Sequence, residues 1–191
     1  MNIVYATDDN GALGTGVSIV SLMENLPPGV HADIYIMTGG LSGDNTARFH
    51  SLQQGYNLHL HFIDMKDKYT DFPVGSKWSA ATYYRLGLAG ELPATVERAL
   101  YVDIDTIFNR DISPMYESEF GDCLIAGVFT TEDLSEESFS RWKREMNLDR
   151  SSIYINAGVI LYHIGRIREE CFESQVLKRK KNNIQNSRSC T

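Results

Sequence analysis

Short apolar runs alternate with amphipathic segments along most of the chain. Runs that predict β-strands lie at residues 3–6, 32–38, 57–64, 99–102, 123–128 and 153–164. Segments with a helical spacing of apolar residues lie at 17–25, 42–55, 79–92 and 133–148. This alternation of strands and helices predicts an α/β fold, with a mainly parallel sheet that helices cover on both faces.

Polar residues follow two of the predicted strands. Asp8, Asp9 and Asn10 come after the first strand, and Asp103 and Asp105 come after the fourth. Ligands of α/β proteins sit beyond the carboxyl ends of the strands. We therefore expect the two acidic loops to converge on one crevice.

The pair Asp103 and Asp105 places two like charges at the mouth of a sheet, where they repel each other and resist desolvation. A divalent cation would compensate them, and carboxylates suit Mg²⁺ or Mn²⁺ while leaving positions for water or a diphosphate. Solvated turn acids or a strand-end cap are the alternative interpretation of so short a motif.

A phosphatase of the haloacid dehalogenase type is a second alternative, because its nucleophile motif also begins with Asp, any residue, Asp. That motif has Thr or Val four residues after the first Asp, where this chain has Ile107, with Thr106 one position early. It also normally follows the first strand rather than the fourth.

Composition limits the classes of binding partner and the cellular location that fit this sequence. The formal net charge of −7 over 191 residues argues against nucleic-acid binding, which needs a basic surface. The three cysteines, Cys123, Cys171 and Cys190, form no CxxC pair and favour reduced thiols. The chain has neither an export leader nor an apolar segment of about 20 residues that could span a membrane, so a cytoplasmic location is predicted.

Histidines and tyrosines receive structural interpretations. His59 and His61 share one face of a predicted strand, yet no third metal ligand accompanies them. Tyr83 and Tyr84 are interpreted as helix packing rather than as a sugar platform.

Four blocks of sequence, in this order, resemble glycosyltransferase family 8, the bacterial lipopolysaccharide galactosyl- and glucosyltransferases and their glycogenin-like relatives. They are "NIVYATDDN" at 2–10, "ATYYRLGLAGELP" at 81–93, "ALYVDIDTIFNRDISPMYESEFGD" at 99–122 and "YINAGVILYHI" at 154–164. The resemblance covers residues 2–177. It implies a GT-A fold, a UDP-glucose or UDP-galactose donor, Mn²⁺ (or Mg²⁺), and transfer with retention to a glycan acceptor such as lipopolysaccharide core.

The resemblance also implies roles for individual residues. The uridine and ribose pocket would be lined by Ala6, Thr7, Asp8 and Asn10, with Asp8 at the uracil edge and the Ile104 backbone at the ribose. Metal ligands would be Asp103 and Asp105.

Further positions resemble the family's contacts to the donor sugar. Arg85 corresponds to an arginine that reaches the donor, although a helical arginine could equally lie over the surface of the sheet. Asn156, Ala157 and Gly158 correspond to the segment that meets the sugar, and an amide inside an apolar strand needs partners or a bulge. Ser79 and Thr82 are weaker candidates, next to "KWS" at 77–79, for acceptor or donor contacts.

The sequence departs from the family after residue 185. The family continues with an Asp-Gln-Asp segment, whose glutamine faces the donor sugar, and later with a histidine metal ligand and a lysine; this chain ends in "NSRSCT". We therefore expect an incomplete catalytic domain at 1–177, a basic and polar tail at 178–191, no identifiable catalytic residue, and membrane contact only through the absent part. Exposed apolar surface is expected near Val159 and Leu161. A non-catalytic, UDP-sugar-binding remnant is the alternative function.

Overall fold

Six strands form one sheet in the computed structural model, which describes residues 1–72, 79–129, 136–145, 148–149, 153, 155–171 and 174–175. The strands are β1 (Asn2–Thr7), β2 (Ala32–Thr38), β3 (Leu58–Asp64), β4 (Arg98–Val102), β5 (Ile125–Phe129) and β6 (Ile155–His163). Their order across the sheet is β3-β2-β1-β4-β6-β5. The predicted α/β fold is confirmed.

The central strands β1 and β4 are parallel neighbours, and the chain changes direction across the sheet between them. After β1 it adds β2 and β3 on one side, and it then returns to place β4 on the other. This is a topological switch point, where two strand ends leave a crevice between their loops. The strand β6 is antiparallel to both of its neighbours, so the sheet is mainly but not wholly parallel.

In the part of the chain that the structure describes, six α-helices lie between the strands and a seventh follows β6. They are α1 (Ala12–Asn25), α2 (Gly43–Gly55), α3 (Ala81–Tyr84), α4 (Leu88–Glu91), α5 (Ser113–Tyr116), α6 (Glu136–Glu145) and α7 (Ile164–Glu169). The predicted helix at 79–92 is instead two short helices joined by a 3₁₀ turn at Arg85–Gly87. A side chain at Gly87 would overlap the hydroxyl of Tyr69, so this turn packs closely on the preceding loop.

Helices cover both faces of the sheet, because successive strand residues point to opposite sides. Ile3 and Tyr5 pack with α1 in one core, and Val4 and Ala6 pack with α4 and α7 in the other. All four residues are at most 7% exposed. The central strands are therefore apolar on both faces, as parallel sheets require.

The expectation of exposed apolar surface near Val159 and Leu161 is wrong for these two residues themselves, although Val128 and Phe129 on the neighbouring strand β5 are each 57% exposed. Leu161 is 3% exposed and belongs to the core on the α1 side, and Val159 packs partly buried against it. Both residues also pair with β4, so this edge of β6 lies inside the sheet. The predicted tail at 178–191 lies outside the described residues.

Candidate active site

A cavity of about 670 Å³ opens at the carboxyl ends of β1 and β4. Its walls come from the loops after these two strands and from α3 with the turn that follows. The lining residues are Ala6, Thr7, Asp8, Asn10, Gly11, Ser79, Ala81, Thr82, Arg85, Tyr101, Asp103, Ile104 and Asp105. The two acidic loops therefore meet in one cavity, together with Arg85 from a third segment.

The loop after β1 turns directly into α1. The Gly11 amide donates a hydrogen bond to Oδ1 of Asp8 at 3.0 Å, and the Thr7 hydroxyl donates to the Asp8 carbonyl at 3.1 Å. Thr7 is 1% exposed, whereas Asp8 is half-buried and Asn10 is exposed. The loop is thus fixed at its buried end and presents Asp8 and Asn10 to the cavity.

Asp9 is an exposed loop acid that accepts hydrogen bonds from the start of α2. Its Oδ1 accepts hydrogen bonds from the Ser42 amide at 2.7 Å and from Nδ2 of Asn45 at 2.8 Å. The Ser42 backbone bond holds the pKa of Asp9 below its ordinary value, and the side-chain bond from Asn45 adds to this. Asp9 is exposed, but it ties the first loop to the start of α2.

Two glycines allow α1 to begin close against the acidic loop. A Cβ at Gly11 would lie 2.6 Å from the Thr7 hydroxyl oxygen and 2.7 Å from Cδ1 of Ile104. A Cβ at Gly14 would lie 3.1 Å from the Ile104 carbonyl oxygen. Sequence reasoning missed both glycines, and the available signal was their density at the start of a helix that was expected to begin only at Val17.

Asp103 is the most highly connected acid in the cavity. Its Oδ1 accepts hydrogen bonds from the Tyr101 hydroxyl at 2.8 Å and from Nη2 of Arg85 at 2.7 Å. Its backbone amide donates to the Gly158 carbonyl on β6 at 2.7 Å. Side chain and backbone are therefore both fixed, which keeps the carboxylate in one orientation.

Burial raises the pKa of Tyr101 far above its ordinary value; Arg85 opposes this shift and Asp103 adds to it. The phenol is therefore protonated at physiological pH and donates to Asp103. The Arg85 guanidinium lies over the same ring, with Cζ 4.4 Å from the centroid, which is cation–π geometry.

Arg85 points inward, so the interpretation of this residue as a surface arginine is wrong. Its side chain is 16% exposed. Besides Asp103, it donates from Nη1 to the Ala157 carbonyl at 2.6 Å and from Nε to the Thr82 carbonyl at 3.2 Å. The residue joins α3, β4 and β6 at one point.

The segment Asn156 to Gly158 supports the cavity from β6 rather than lining it. Asn156 is exposed, not buried, and its Oδ1 accepts from the Gly158 amide at 2.7 Å. The pairing of β5 with β6 shifts register nearby, between Gly127 and Phe129, as the bulge interpretation had it. A Cβ at Gly158 would lie 3.1 Å from Oδ2 of Asp103, so glycine allows the close approach of the two strands.

Comparison with known proteins decides the family. The sequence profile of glycosyl transferase family 8 matches residues 2–189. This chain belongs to that family. The match continues past residue 177, where the resemblance in the sequence was expected to end.

Relatives of known name agree with this assignment to family 8. General stress protein A of Bacillus subtilis (strain 168) is 26% identical over 179 residues, covering 93% of this chain and 60% of that protein. Lipopolysaccharide 1,3-galactosyltransferase of Salmonella typhimurium is 29% identical over 169 residues, covering 85% of this chain and 48% of that protein. The chain thus spans about half to three fifths of the length of these relatives.

Solved structures establish the fold of this family 8 chain. The galactosyltransferase LgtC, solved in complex with donor and acceptor sugar analogues, matches with a TM-score of 0.75 and 27% identity, covering 88% of this chain and 60% of that one. The fold is therefore GT-A, as the resemblance implied. With the family established and the acidic pair placed after β4, we do not retain the phosphatase alternative.

The side chains of the acidic pair in this family 8 site have the donor atoms that a divalent cation prefers. Asp103 and Asp105 offer carboxylate oxygens from one tight loop, in which the Thr106 amide donates to the Asp103 carbonyl at 3.2 Å. Hard oxygen donors fit Mg²⁺ or Mn²⁺. Within the described ranges no three or more His, Cys, Asp or Glu side chains form a metal-binding group. A cation held by this pair would therefore need further ligands beyond these two carboxylates.

The remaining candidate residues divide between the cavity and the core. Ser79 and Thr82 line the cavity, whereas Tyr83 and Tyr84 are buried and pack as predicted. Positions 77 and 78 of "KWS" lie outside the described residues.

His59 and His61 lie on the edge strand β3, away from the cavity. Nε2 of His61 lies 2.8 Å from Oδ1 of Asp33, and its ring stacks on Tyr35. In the described part of the chain, no helix combines the length and apolar character that crossing a bilayer requires.

Proposed function

We propose that this chain binds a UDP-hexose, UDP-glucose or UDP-galactose, together with Mn²⁺ or Mg²⁺. We further propose that it is the donor-binding part of a cytoplasmic hexosyltransferase that acts with retention on a glycan acceptor such as lipopolysaccharide core. The observation that carries the proposal is the cavity in which the Asp8 loop, the Asp103 loop and Arg85 meet.

The first loop supplies groups suited to a nucleoside. Asp8 presents a carboxylate and Asn10 both a donor and an acceptor, a combination that can pair with a uracil edge and ribose hydroxyls. The buried Thr7 and the short Ala6 form the floor behind them. The backbone at Ile104 lies on the opposite wall, where the family resemblance places the ribose.

The charges in the cavity favour a diphosphate accompanied by a cation. Three aspartates and one arginine line it, so a diphosphate without a cation would be repelled. A bound divalent cation would neutralise phosphate oxygens and stabilise the departing nucleotide. Arg85 is held by Asp103, Ala157 and Thr82 at the wall next to β6, where it would orient the donor.

Binding without transfer is the second candidate. The small number of acidic side chains favours this candidate. The described residues offer the carboxylates of Asp103 and Asp105 but no group of three possible metal ligands. The names of the relatives favour transfer, because Salmonella typhimurium lipopolysaccharide 1,3-galactosyltransferase is a transferase by name.

A transfer assay discriminates the two candidates. The chain is incubated with Mn²⁺, a lipopolysaccharide-core oligosaccharide, and labelled UDP-glucose or UDP-galactose. Transfer with retention, seen as an unchanged anomeric configuration by NMR, supports the enzyme. Mn²⁺-dependent UDP binding without hydrolysis or transfer supports the binding protein. No binding of UDP in the presence of Mn²⁺ would contradict both.

A further inference from the structure

Tyr101 joins the core to the cavity. It is 1% exposed, and its ring packs in the core on the α4 and α7 side of the sheet. Side chains two residues apart on a strand share one face, so Tyr101 places its hydroxyl next to Asp103. The resulting bond to Oδ1 of Asp103 is 2.8 Å long.

The hydroxyl of Tyr101 is not explained by packing. A phenylalanine would fill almost the same volume, and a buried hydroxyl is costly unless it forms a hydrogen bond. The hydroxyl donates to a residue of the cavity rather than to a core partner. The same ring also supports the guanidinium of Arg85, 4.4 Å above it.

The two donors use one oxygen of the carboxylate. Oδ1 of Asp103 accepts from both Tyr101 and Arg85, whereas no described residue donates a hydrogen bond to Oδ2. Rotation of the carboxylate about its Cβ–Cγ bond would break both hydrogen bonds to Oδ1, so these bonds favour one direction for Oδ2. Charge-assisted bonds of this kind are among the stronger hydrogen bonds in proteins.

We propose that Tyr101 is a positioning residue for the divalent cation. It pins Oδ1 of Asp103 and supports Arg85, so that Oδ2 of Asp103 and the carboxylate of Asp105 remain available to the ion. The inference rests on the proposed function, because it requires a cation at this acidic pair. Tyr101 lies in the wall of the cavity and would act on the cation through Asp103.

The chain contains a matched control. Tyr5 lies on the neighbouring strand β1 and is 0% exposed. Its hydroxyl oxygen forms a hydrogen bond with Oγ of Ser18 at 3.0 Å. It belongs to the core on the opposite face of the sheet from Tyr101. Tyr5→Phe therefore removes an equally buried phenol hydroxyl without altering the acidic pair.

The experiment measures free Mn²⁺ by electron paramagnetic resonance, and UDP binding over a range of Mn²⁺ concentrations. We expect Tyr101→Phe to weaken Mn²⁺ binding by about 10-fold, the lower end of the range for residues that orient metal ligands. Saturating Mn²⁺ should restore UDP affinity to the wild-type value. Tyr5→Phe should leave both affinities unchanged.

Each outcome decides the inference. Two results would show that Tyr101 acts only as a core residue. One is an equal change of Mn²⁺ affinity in Tyr101→Phe and Tyr5→Phe. The other is a loss of UDP affinity that saturating Mn²⁺ does not restore. If the wild type itself binds neither Mn²⁺ nor UDP, the proposed function fails and the inference fails with it. Circular dichroism verifies folding. Tyr101→Met removes both the hydroxyl and the ring, and it should weaken Mn²⁺ binding more than Tyr101→Phe does. It replaces Tyr101→Phe in the comparison if the phenylalanine variant does not fold.

Discussion

The Asp9 carboxylate lies 2.7 Å from the Ser42 backbone amide and so fastens the loop after β1 to the start of α2. Ser42 is the N-cap of that helix, and its own side chain accepts from the Asn45 amide. Asp9 therefore takes part in a helix cap that belongs to another element. This contact links the loop after β1 to α2.

Asp9→Ala should change the acid dependence of stability. The pKa of Asp9 is lowered in the folded chain by the Ser42 bond, so its contribution is complete above the ordinary value of 3.8 and is lost as the pH falls through the lowered pKa. The wild type should thus be more stable than the variant near neutral pH, and the two should converge in acid. Thermal unfolding midpoints measured from neutral pH downward check this.

Asp67→Ala is the control for this acid effect, because Asp67 is an exposed acid on the loop after β3. It should follow the wild type at every pH. An Asp9→Ala curve parallel to that of the wild type would show that the contact contributes no pH-dependent stability.

Replacement of Asp105 should impair cation-dependent nucleotide binding more than loss of the paired histidines. Asp105→Asn keeps the shape of the side chain but removes one of the two carboxylates of the Asp103 and Asp105 pair. We expect Mn²⁺-dependent UDP affinity to fall by at least about 10-fold, by comparison with the effect of losing residues around a metal.

The matched change is His59→Ala with His61→Ala, two imidazoles on β3 that lie outside the cavity. Calorimetry should find UDP binding by this double variant close to that of the wild type. Equal losses in the two proteins would remove the metal role from the acidic pair.

The sequence pattern predicted all six strands and a mainly parallel sheet, but not the antiparallel direction of β6. β2 has the predicted bounds, because the apolar run at 32–38 is clearly limited on both sides. The reversal of β6 was not predictable, since side-chain alternation is the same in parallel and antiparallel strands. The start of α1 was placed five residues late, because Gly14 and Gly16 lower local helix propensity.

The cavity was predicted from strand ends, whereas its supporting residues were missed. Asp8, Asp103 and Arg85 carry charge and stand out in the sequence. Tyr101 was assigned to the core with the rest of its strand, and its spacing of two residues from Asp103 was the overlooked signal. Gly11 was missed because close packing between distant segments is not encoded in local pattern.

Asp8 should govern the choice of base. Asp8→Ala is expected to reduce the preference for UDP over ADP and GDP, because the half-buried carboxylate faces the cavity where a base edge would lie. The ratio of dissociation constants, measured with each nucleotide and Mn²⁺, tests the expectation.

Asp8→Asn separates base recognition from folding. Its amide oxygen can still accept the Gly11 amide, which now binds Oδ1 at 3.0 Å, but its amino group donates where the carboxylate accepted. We expect unchanged thermal stability and a lower preference for UDP. Unaltered selectivity in both variants would assign base recognition elsewhere.

Gly11→Ala should destabilise the protein and weaken UDP binding together. The backbone at Gly11, with φ −81° and ψ −8°, accepts any residue, so the effect would come from packing alone. The added Cβ would lie 2.6 Å from the Thr7 hydroxyl and 2.7 Å from Ile104, and crowding of this kind costs about 1–3 kcal/mol. Relief of the overlap requires the side chains of Thr7 and Ile104 to shift, and both residues line the cavity.

Gly16→Ala, in the same helix, should change the free energy of unfolding in the opposite direction. Nothing lies within 4 Å of its Cβ position, so the variant should gain about 0.5–1 kcal/mol from helix propensity. Urea unfolding gives both free energies, and UDP titration with Mn²⁺ gives the affinities. Stabilisation by both variants would show that the overlap at Gly11 is relieved without cost. Opposite shifts, with a loss of UDP affinity confined to Gly11→Ala, would support the conclusion that the contact between α1 and the acidic loop shapes the cavity.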